Sequence, residues 1–525
     1  VFDAFAKRNI SAAYTPLVLA QGLSAYLADF PHRCTEQLIS QGVPSLVFAA
    51  HPEYGSLAVD ANGKPVKPAS DPLQGLFAVM HSRQNNEGGF GLWTSTPQSH
   101  RFASVYAMQF LIEAKERGQR LPGDMLDAGE RYLMQLAADE SDGSLDGLRE
   151  RAFAVYLLTR QGTVTTNYLA AVQKRLDDRH TKIWRDDLAA GYIAASLKLL
   201  KQDREADALI AGPQAKLTRS TIENAYRFQP YSYYGPLVRD AGILYLLAKH
   251  FPERAKALPP AAVANLLRPV QRGWYNTLSS AQVILALDAY ATQAAADGKL
   301  SLTEQHKDAT SAAINAQVGA LVRGPFSAAA TSLKVDNGAD LHAWYAVTQA
   351  GFDRTPPTSE LKQGLEIIRE FTDTDGKPIK TATLGQEIDV HLKIRATQVD
   401  SIGNIAIVDL LPGGFEPVLT PPSAPEDAAN GDAANTDAST NNAQQPAWRA
   451  PIGVTGSNWA LEYADVRDDR VVIYGTAQRD AHEFIYRIRA TNAGSFSVPP
   501  AYGESMYDRT VQARSLGAKI EVTKK

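Results

Sequence analysis

The chain has 525 residues, of which 44% are apolar and 21% are charged, and its formal net charge is −4. This composition is typical of an ordinary globular protein, and the small net charge gives no reason to expect nucleic acid or an anionic membrane as a partner. The length predicts two or three domains, and no apolar run is long enough to span a bilayer.

The first predicted element is a helix from Leu17 to Phe30, which Pro31 ends. The run Cys34-Thr35-Glu36-Gln37 follows, and its cysteine is the only one in the chain, which excludes an intramolecular disulfide. Where a chain turns tightly, side chains three residues apart fall on the same face. We therefore expect the thiol of Cys34 and the carboxamide of Gln37 to lie side by side.

These two groups can react with each other to form an internal thioester. A thiolate can attack the Gln37 carboxamide, expel ammonia and close an about 15-membered thiolactone ring. The product holds an acyl group on a good leaving group and would acylate an amine or hydroxyl that reached it. The simpler interpretation is a small buried apolar cysteine. The Glu at position +2 and the Gln at +3 favour the thioester.

The run Cys34-Thr35-Glu36-Gln37, with a proline just before it, resembles the thioester domain of the alpha-2-macroglobulin and complement family, in particular its bacterial members. The preceding stretch Phe30-Pro31-His32-Arg33 differs from the aromatic-Pro-aromatic-Gly stretch of that group at His and Arg. The resemblance implies that Phe30 shields the thioester from water. His32 is a candidate second cover, and Glu36 a candidate local support for the turn or for ring closure.

The first 300 or so residues carry apolar side chains at three- and four-residue spacing, which predicts helices in a repeat of about 35 to 50 residues. Such a repeat indicates stacked helical hairpins. The loop from Gln84 to Trp93 resembles the Gly-Gly-Phe-Gly turns of α/α-toroid proteins. We interpret it as a structural staple, in which glycines permit a tight turn while Phe90 and Trp93 plug the end of a hairpin.

From about Ala309 the pattern changes to short alternating stretches, which predict strands at 327–335 and 341–349. By the resemblance this is the returning half of a split, CUB-like β-domain whose first half precedes Val1. A linker at 355–358 is followed by strands at 365–372, 387–396, 402–411, 459–466, 470–474, 483–489 and 518–522, which argue for a β-sandwich. Residues 420–445 are polar, small and without aromatic residues, which predicts a disordered loop.

The predicted fold class is a multidomain α + β chain. An α/α toroid of helical hairpins, the thioester domain, covers residues 1–308, the partial β-domain covers 309–357, and a C-terminal antiparallel β-sandwich of the macroglobulin-like type covers 358–525.

The closing stretch Val498 to Asp508 is similar to that of bacterial family members, which implies that Met506 also shields the thioester. The toroid histidines His81, His100 and His180 lie in no matching motif, so we expect lysine amines to be the captured nucleophiles.

Two other classes of function remain open at this stage. Toroids also include carbohydrate- and isoprenoid-active enzymes, but the lone cysteine has no zinc-site spacing, and Asp177-Asp178 and Asp186-Asp187 lack the acidic pattern of a terpenoid cyclase. We therefore expect no metal and no cofactor. The other alternative is a non-covalent binding module in which the Cys-Thr-Glu-Gln run is a relic.

The resemblance implies an endopeptidase inhibitor and not an enzyme. Such a protein traps proteases broadly: the protease cuts a bait region, absent from this chain, and the thioester then captures its surface lysines. Because the chain begins with Val1 and not with methionine, we expect a fragment or a processed product. The resemblance also implies a periplasmic location, with membrane association through a missing N-terminus and periplasmic partner proteins as further possibilities.

Overall fold

The computed structural model describes residues 2, 6–55, 71–94, 96–219, 233–292, 298–314, 317–318, 321–338, 341–355, 357–419, 451–452 and 456–524. The chain divides into two compact units, residues 1–354 and 355–525. The loop predicted to be disordered, 420–445, lies outside the described residues, as does position 356 of the predicted linker.

The described part of the first unit is mainly helical. Its helices are α1 (Ala20–Asp29), α2 (Thr35–Ala50), α3 (Pro72–Arg83), α4 (Arg101–Glu116), α5 (Gly123–Ala138), α6 (Leu145–Arg160), α7 (Thr166–His180), α8 (Leu188–Leu199), α9 (Asp203–Arg219), α10 (Pro236–His250), α11 (Pro252–Lys256), α12 (Pro260–Gln271) and α13 (Thr277–Ala291). Within the part of the chain that the structure describes, none of the helices has the length and apolarity that crossing a membrane requires.

Six of these helices form an inner ring. Helices α2, α4, α6, α8 and α10 contact one another in that order, and α13 contacts both α10 and α2 and so closes the ring. The inner helices are buried on nearly every face, as in α8, where Leu188 to Leu197 are all buried. Outer helices such as α5 and α12 bury one face only. This double ring of helical hairpins is the predicted α/α toroid.

The inner helices run in the same direction. At their C-terminal ends, Arg117 after α4 pairs with Asp288 of α13 at 2.6 Å, and Lys249 of α10 pairs with Glu113 of α4 at 3.0 Å. At the opposite end, the first turn of α2 bonds to the first turn of α13 through Glu36 and Thr277. All the N-terminal ends therefore lie at one end of the ring, which is the end that carries Cys34.

The toroid is inserted into a β-domain. Strand β1 (Lys7–Ala13) precedes the helices, and the other strands follow them: β2 (Leu300–His306), β3 (Ser311–Ile314), β4 (Gln317–Val318), β5 (Leu321–Pro325), β6 (Ala330–Asn337) and β7 (Trp344–Ala350). Among the described residues they form two sheets, with strand orders β4-β5-β1-β7 and β3-β2-β6.

The limits predicted for the toroid, residues 1–308, therefore differ from the structure at both ends. Strand β1 lies inside that range and pairs with β5 and β7, so one strand that precedes the helices is present in this chain. Strand β2 begins at Leu300. The sequence pattern does not predict β1, because its buried half, Ile10 to Ala13, does not alternate between apolar and polar residues.

The second unit is built from strands. They are β8 (Leu361–Gln363), β9 (Leu365–Thr372), β10 (Thr381–Thr383), β11 (Glu387–Ala396), β12 (Ser401–Leu410), β13 (Phe415–Pro417), β14 (Leu461–Arg467), β15 (Arg470–Gln478), β16 (His482–Ala490), β17 (Gly494–Val498), β18 (Tyr502–Ser505), β19 (Gln512–Arg514) and β20 (Ala518–Thr523). Among the described residues the sheets have the orders β13-β16-β11-β9, β14-β15-β12-β18-β19-β8 and β10-β20-β17.

One apolar core joins the sheets of the second unit. It includes Ile388 and Ile394 of β11, Ile407 of β12 and Ile473 of β15, all almost completely buried. All seven strands predicted for this unit are present, with ends that differ by a few residues. The β-sandwich class is therefore confirmed.

Candidate functional site

The reactive pair predicted from the sequence lies at the start of an inner helix. Cys34 is the N-cap of α2, with extended backbone angles (φ −62°, ψ 167°), and its exposed fraction is 1%. Its sulfur accepts a hydrogen bond from the backbone N–H of Gln37. In return, Oε1 of the Gln37 side chain accepts one from the backbone N–H of Cys34 at 3.0 Å. This reciprocal arrangement is a capping box, and it places the thiol and the carboxamide over the same helical turn.

The electrostatics of this turn favour attack of the sulfur on the carboxamide. The bond from the Cys34 N–H polarises the Gln37 carbonyl and faces the oxygen on which negative charge develops during attack. The first turn of α2 therefore contains a thiol, a carboxamide and an N–H donor to the oxygen of that carboxamide.

Thr35 binds this turn to the loop that the sequence analysis interpreted as a staple. Its backbone N–H donates to the carbonyl of Leu92 at 2.8 Å, and its hydroxyl donates to the carbonyl of Gly91 at 2.5 Å. The guanidinium of Arg83, which is largely buried, donates to the Thr35 hydroxyl at 3.2 Å. The loop therefore does more than plug a helical hairpin, because it also holds the residue next to Cys34.

Glu36 is completely buried in the first turn of α2. Its carboxylate accepts a hydrogen bond from Ser40 at 2.6 Å and from the hydroxyl of Thr277, on α13, at 3.2 and 3.0 Å to its two oxygens. Ser40 in turn contacts the hydroxyl of Tyr106, on α4, at 3.0 Å. Glu36 thus joins the start of α2 to both neighbouring inner helices.

Phe30 and His32 lie in one aromatic cluster next to the reactive turn. Their ring centroids are 5.3 Å apart in an edge-to-face arrangement, and both side chains are buried. Tyr26 contacts Phe30 at 5.6 Å between centroids and Tyr275 at 5.0 Å. The amide of Gln41 on α2 donates to the carbonyl of Phe30 at 2.8 Å, which fixes this segment against the helix. Phe30 and His32 are predicted from the sequence, whereas no motif there indicates either tyrosine.

Met506 belongs to the second unit and follows strand β18. Its backbone N–H donates to the carbonyl of Asn404 at 2.9 Å, and its side chain is buried. Asn404 has a positive φ of 55° and lies where the register of β12 shifts between Ile402 and Ile405. The shielding role of Met506 stays a prediction.

Each histidine considered as a modifier of the thioester has another partner. His81 pairs with Asp124 at 3.0 Å, and His180 bonds to the carbonyl of Gly143 at 3.0 Å. His100 caps α4, where its Nδ1 accepts from the N–H of Ala103 at 3.2 Å. Over the described ranges, no group of three or more His, Cys, Asp or Glu residues is arranged to hold a metal ion.

Comparison with known proteins agrees with both units. Residues 364–509 match the family model described as the bacterial alpha-2-macroglobulin MG10 domain. The alpha-2-macroglobulin homolog of Yersinia pestis is 44% identical over 523 residues, which cover 98% of this chain. The chain belongs to the bacterial alpha-2-macroglobulin family. It covers only 25% of the Yersinia relative, so it spans about a quarter of the length of the curated relatives it matches.

Solved structures of family members have the same fold. A native alpha-2-macroglobulin from Escherichia coli, spanning domain MG7 to the C-terminus, has a TM-score of 0.71 at 20% identity, and the match covers 99% of this chain and 78% of that one. Salmonella alpha-2-macroglobulin reacted with methylamine has a TM-score of 0.70 at 20% identity, covering 99% of this chain and 32% of that one. These matches confirm the predicted fold class.

Proposed function

We propose that Cys34 and Gln37 form an internal thioester and that this chain is the covalent capture region of a protease inhibitor. The observation that carries the proposal is the reciprocal pair of hydrogen bonds between Cys34 and Gln37, since it holds the two reacting groups together before any bond forms. Burial of both residues supports the proposal, because a thioester must be kept from water until it is needed.

Ring closure needs no external reagent. The Cys34 sulfur forms a bond to Cδ of Gln37, the bond from Cδ to Nε2 breaks, and the thiol proton leaves with the nitrogen as ammonia. The backbone N–H of Cys34 stabilises the oxygen of the tetrahedral intermediate. The thioester ring opens by transfer of its acyl group to an amine. The amine attacks Cδ of Gln37, an amide forms and the Cys34 thiol is released.

In the whole protein we propose that the trigger is cleavage by a protease of a bait region outside this chain. The thioester then becomes accessible and acylates lysine side chains on the protease. Membership of the family supports this function, and the reaction of the Salmonella relative with methylamine supports amines as nucleophiles.

We also propose a periplasmic location, which fractionation of the source cells with marker enzymes would test.

Intact mass under denaturing conditions tests the reactive pair. A closed ring lowers the mass of the chain by about 17 Da, one ammonia, and methylamine then adds about 31 Da and frees one thiol.

Incubation of the full-length protein with trypsin should give a covalent adduct that survives denaturation, and methylamine pretreatment should prevent it. If ring-closed protein is cleaved by trypsin and yields no such adduct, capture is not its function.

A further inference from the structure

The completely buried carboxylate of Glu36 receives two hydroxyl donors from different helices. Ser40 lies one turn further along α2, and Thr277 lies in the first turn of α13, 241 positions away in sequence. An ionised carboxylate inside a protein is costly unless donors satisfy it. The positive N-terminal ends of α2 and α13 add to this stabilisation. The hydroxyls of Ser40 and Thr277 therefore hold the Glu36 carboxylate in one fixed place.

The hydrogen bonds that join Tyr106, Ser40 and Glu36 all donate towards the Glu36 carboxylate. A carboxylate only accepts, so Ser40 uses its proton on Glu36. The contact between Ser40 and Tyr106 must then have Tyr106 as the donor. Burial, and after it the charge of Glu36, hold the pKa of Tyr106 well above its ordinary value, so its proton is retained. Tyr106, Ser40 and Glu36 form a chain that ends on the same carboxylate as Thr277.

We infer that Thr277 is a positioning residue for formation of the thioester. The inference rests on the proposed function. The first N–H groups of a helix have no partners within the helix, so its first turn is the part most free to fray or rotate. Thr35 holds this turn to the loop at Gly91 and Leu92, and Thr277 holds it through Glu36 to α13. Gln37 directly follows Glu36, so rotation at Glu36 would move the carboxamide away from the Cys34 sulfur.

The test compares two substitutions at Thr277 in the full-length protein. Thr277→Val keeps the shape of the side chain and removes the hydroxyl, whereas Thr277→Ser keeps the hydroxyl. We expect the fraction of molecules with the mass loss of one ammonia to fall severalfold in the valine variant and to stay near that of the wild type in the serine variant. Because closure and not folding is measured, rescue by serine distinguishes positioning from bulk packing.

Thr159→Val is the matched control. Thr159 is also a buried threonine of an inner helix, but its hydroxyl lies near the C-terminal end of α6, where it bonds to Val155 and Thr165. The control should lose thermal stability to a similar extent and keep the closed fraction of the wild type. Equal closure in folded Thr277→Val and wild-type protein would overturn the inference, and so would an equal loss of closure in the control.

Ser40→Ala removes the other donor to Glu36 and decides the question if the Thr277→Val protein does not fold. A reduced closed fraction in folded Ser40→Ala protein supports the inference, and an unchanged fraction contradicts it. Failure of the proposed function has a different signature, since the wild-type protein itself would then lack the mass loss.

Discussion

The backbone N–H of Cys34 donates to Oε1 of Gln37 at 3.0 Å, while the Cys34 sulfur accepts from the backbone N–H of Gln37. In an ordinary capping box these bonds only satisfy the exposed groups of a helix start. Here the residue types give the same geometry a second use, because one partner is a nucleophile and the other an acyl group. The position of the pair at a helix N-terminus thus serves both the fold and the proposed reaction.

Substitution of Cys34 by serine separates these two uses. Serine is a preferred N-cap, so the stability of the toroid should change by less than about 1 kcal/mol. The thioester cannot form, so the variant should show no loss of ammonia and no incorporation of methylamine. Thermal unfolding and intact mass on the same preparation test both expectations. A large fall in the unfolding temperature would show that the sulfur has a structural role beyond capping.

Phe30 should control how long the closed ring survives in water. Its ring packs edge-on against His32 and Tyr26 beside the reactive turn. Phe30→Ala removes this packing and should cost about 3–5 kcal/mol if the site does not collapse. We expect it also to shorten the half-life of the thioester severalfold, measured as appearance of free thiol. Phe30→Leu is the control, since it keeps apolar bulk and should have a half-life close to that of the wild type.

Gly88 should be necessary for the loop that holds Thr35. It has a φ of +87°, and a Cβ atom there would lie 2.1 Å from the carbonyl oxygen of Ala128. Gly88→Ala should therefore lower stability by about 1–3 kcal/mol and reduce the closed fraction. Gly118→Ala is matched to it, because Gly118 also has a positive φ of 74° but no atom within 4 Å of the added Cβ. The account predicts normal ring closure in the Gly118 variant, and an equal defect in both would contradict the role of the loop.

The pH dependence of stability should include a contribution from His100. Its Nδ1 accepts a hydrogen bond at the start of α4, which needs a neutral ring, and burial lowers its pKa from 6.5 to about 4. The folded protein binds fewer protons than the unfolded chain between these values, so stability is lost as the pH falls from about 6.5 towards 4. The loss should be on the order of 2–3 kcal/mol. Denaturant unfolding at pH 7 and 4.5 should show a smaller difference for His100→Asn, which caps without titrating; an identical difference would be contrary to this assignment.

Local patterns in the sequence were sufficient for much of the fold. Strand β11 alternates between buried and less buried residues along most of its length, so its limits agree with the predicted strand 387–396. Short strands such as β13 and β19, with three residues each, have too few side chains to show a period. Strand β1 is long enough, with seven residues, but its buried half, Ile10 to Ala13, does not alternate between apolar and polar residues.

The pairing of Cys34 with Gln37 could be predicted because the two residues are three positions apart. The groups that hold it could not. Thr277 is an ordinary threonine at a helix start. Its contact with Glu36 exists only because the inner ring of helices closes and brings α13 against α2. Arg83 is the last residue of α3 and Gly91 lies in the loop that follows, and their contacts with Thr35 depend on how α3 packs against α2.

The central claim is that Cys34 is acylated by the side chain of Gln37. Mass spectrometry of freshly purified protein, denatured with and without prior methylamine, tests it most directly. We expect a peptide spanning residues 34–37 that lacks one ammonia in the untreated sample, and one that carries methylamine at Gln37 with a free Cys34 thiol after treatment. An intact Gln37 carboxamide with a free Cys34 thiol in both samples would contradict it.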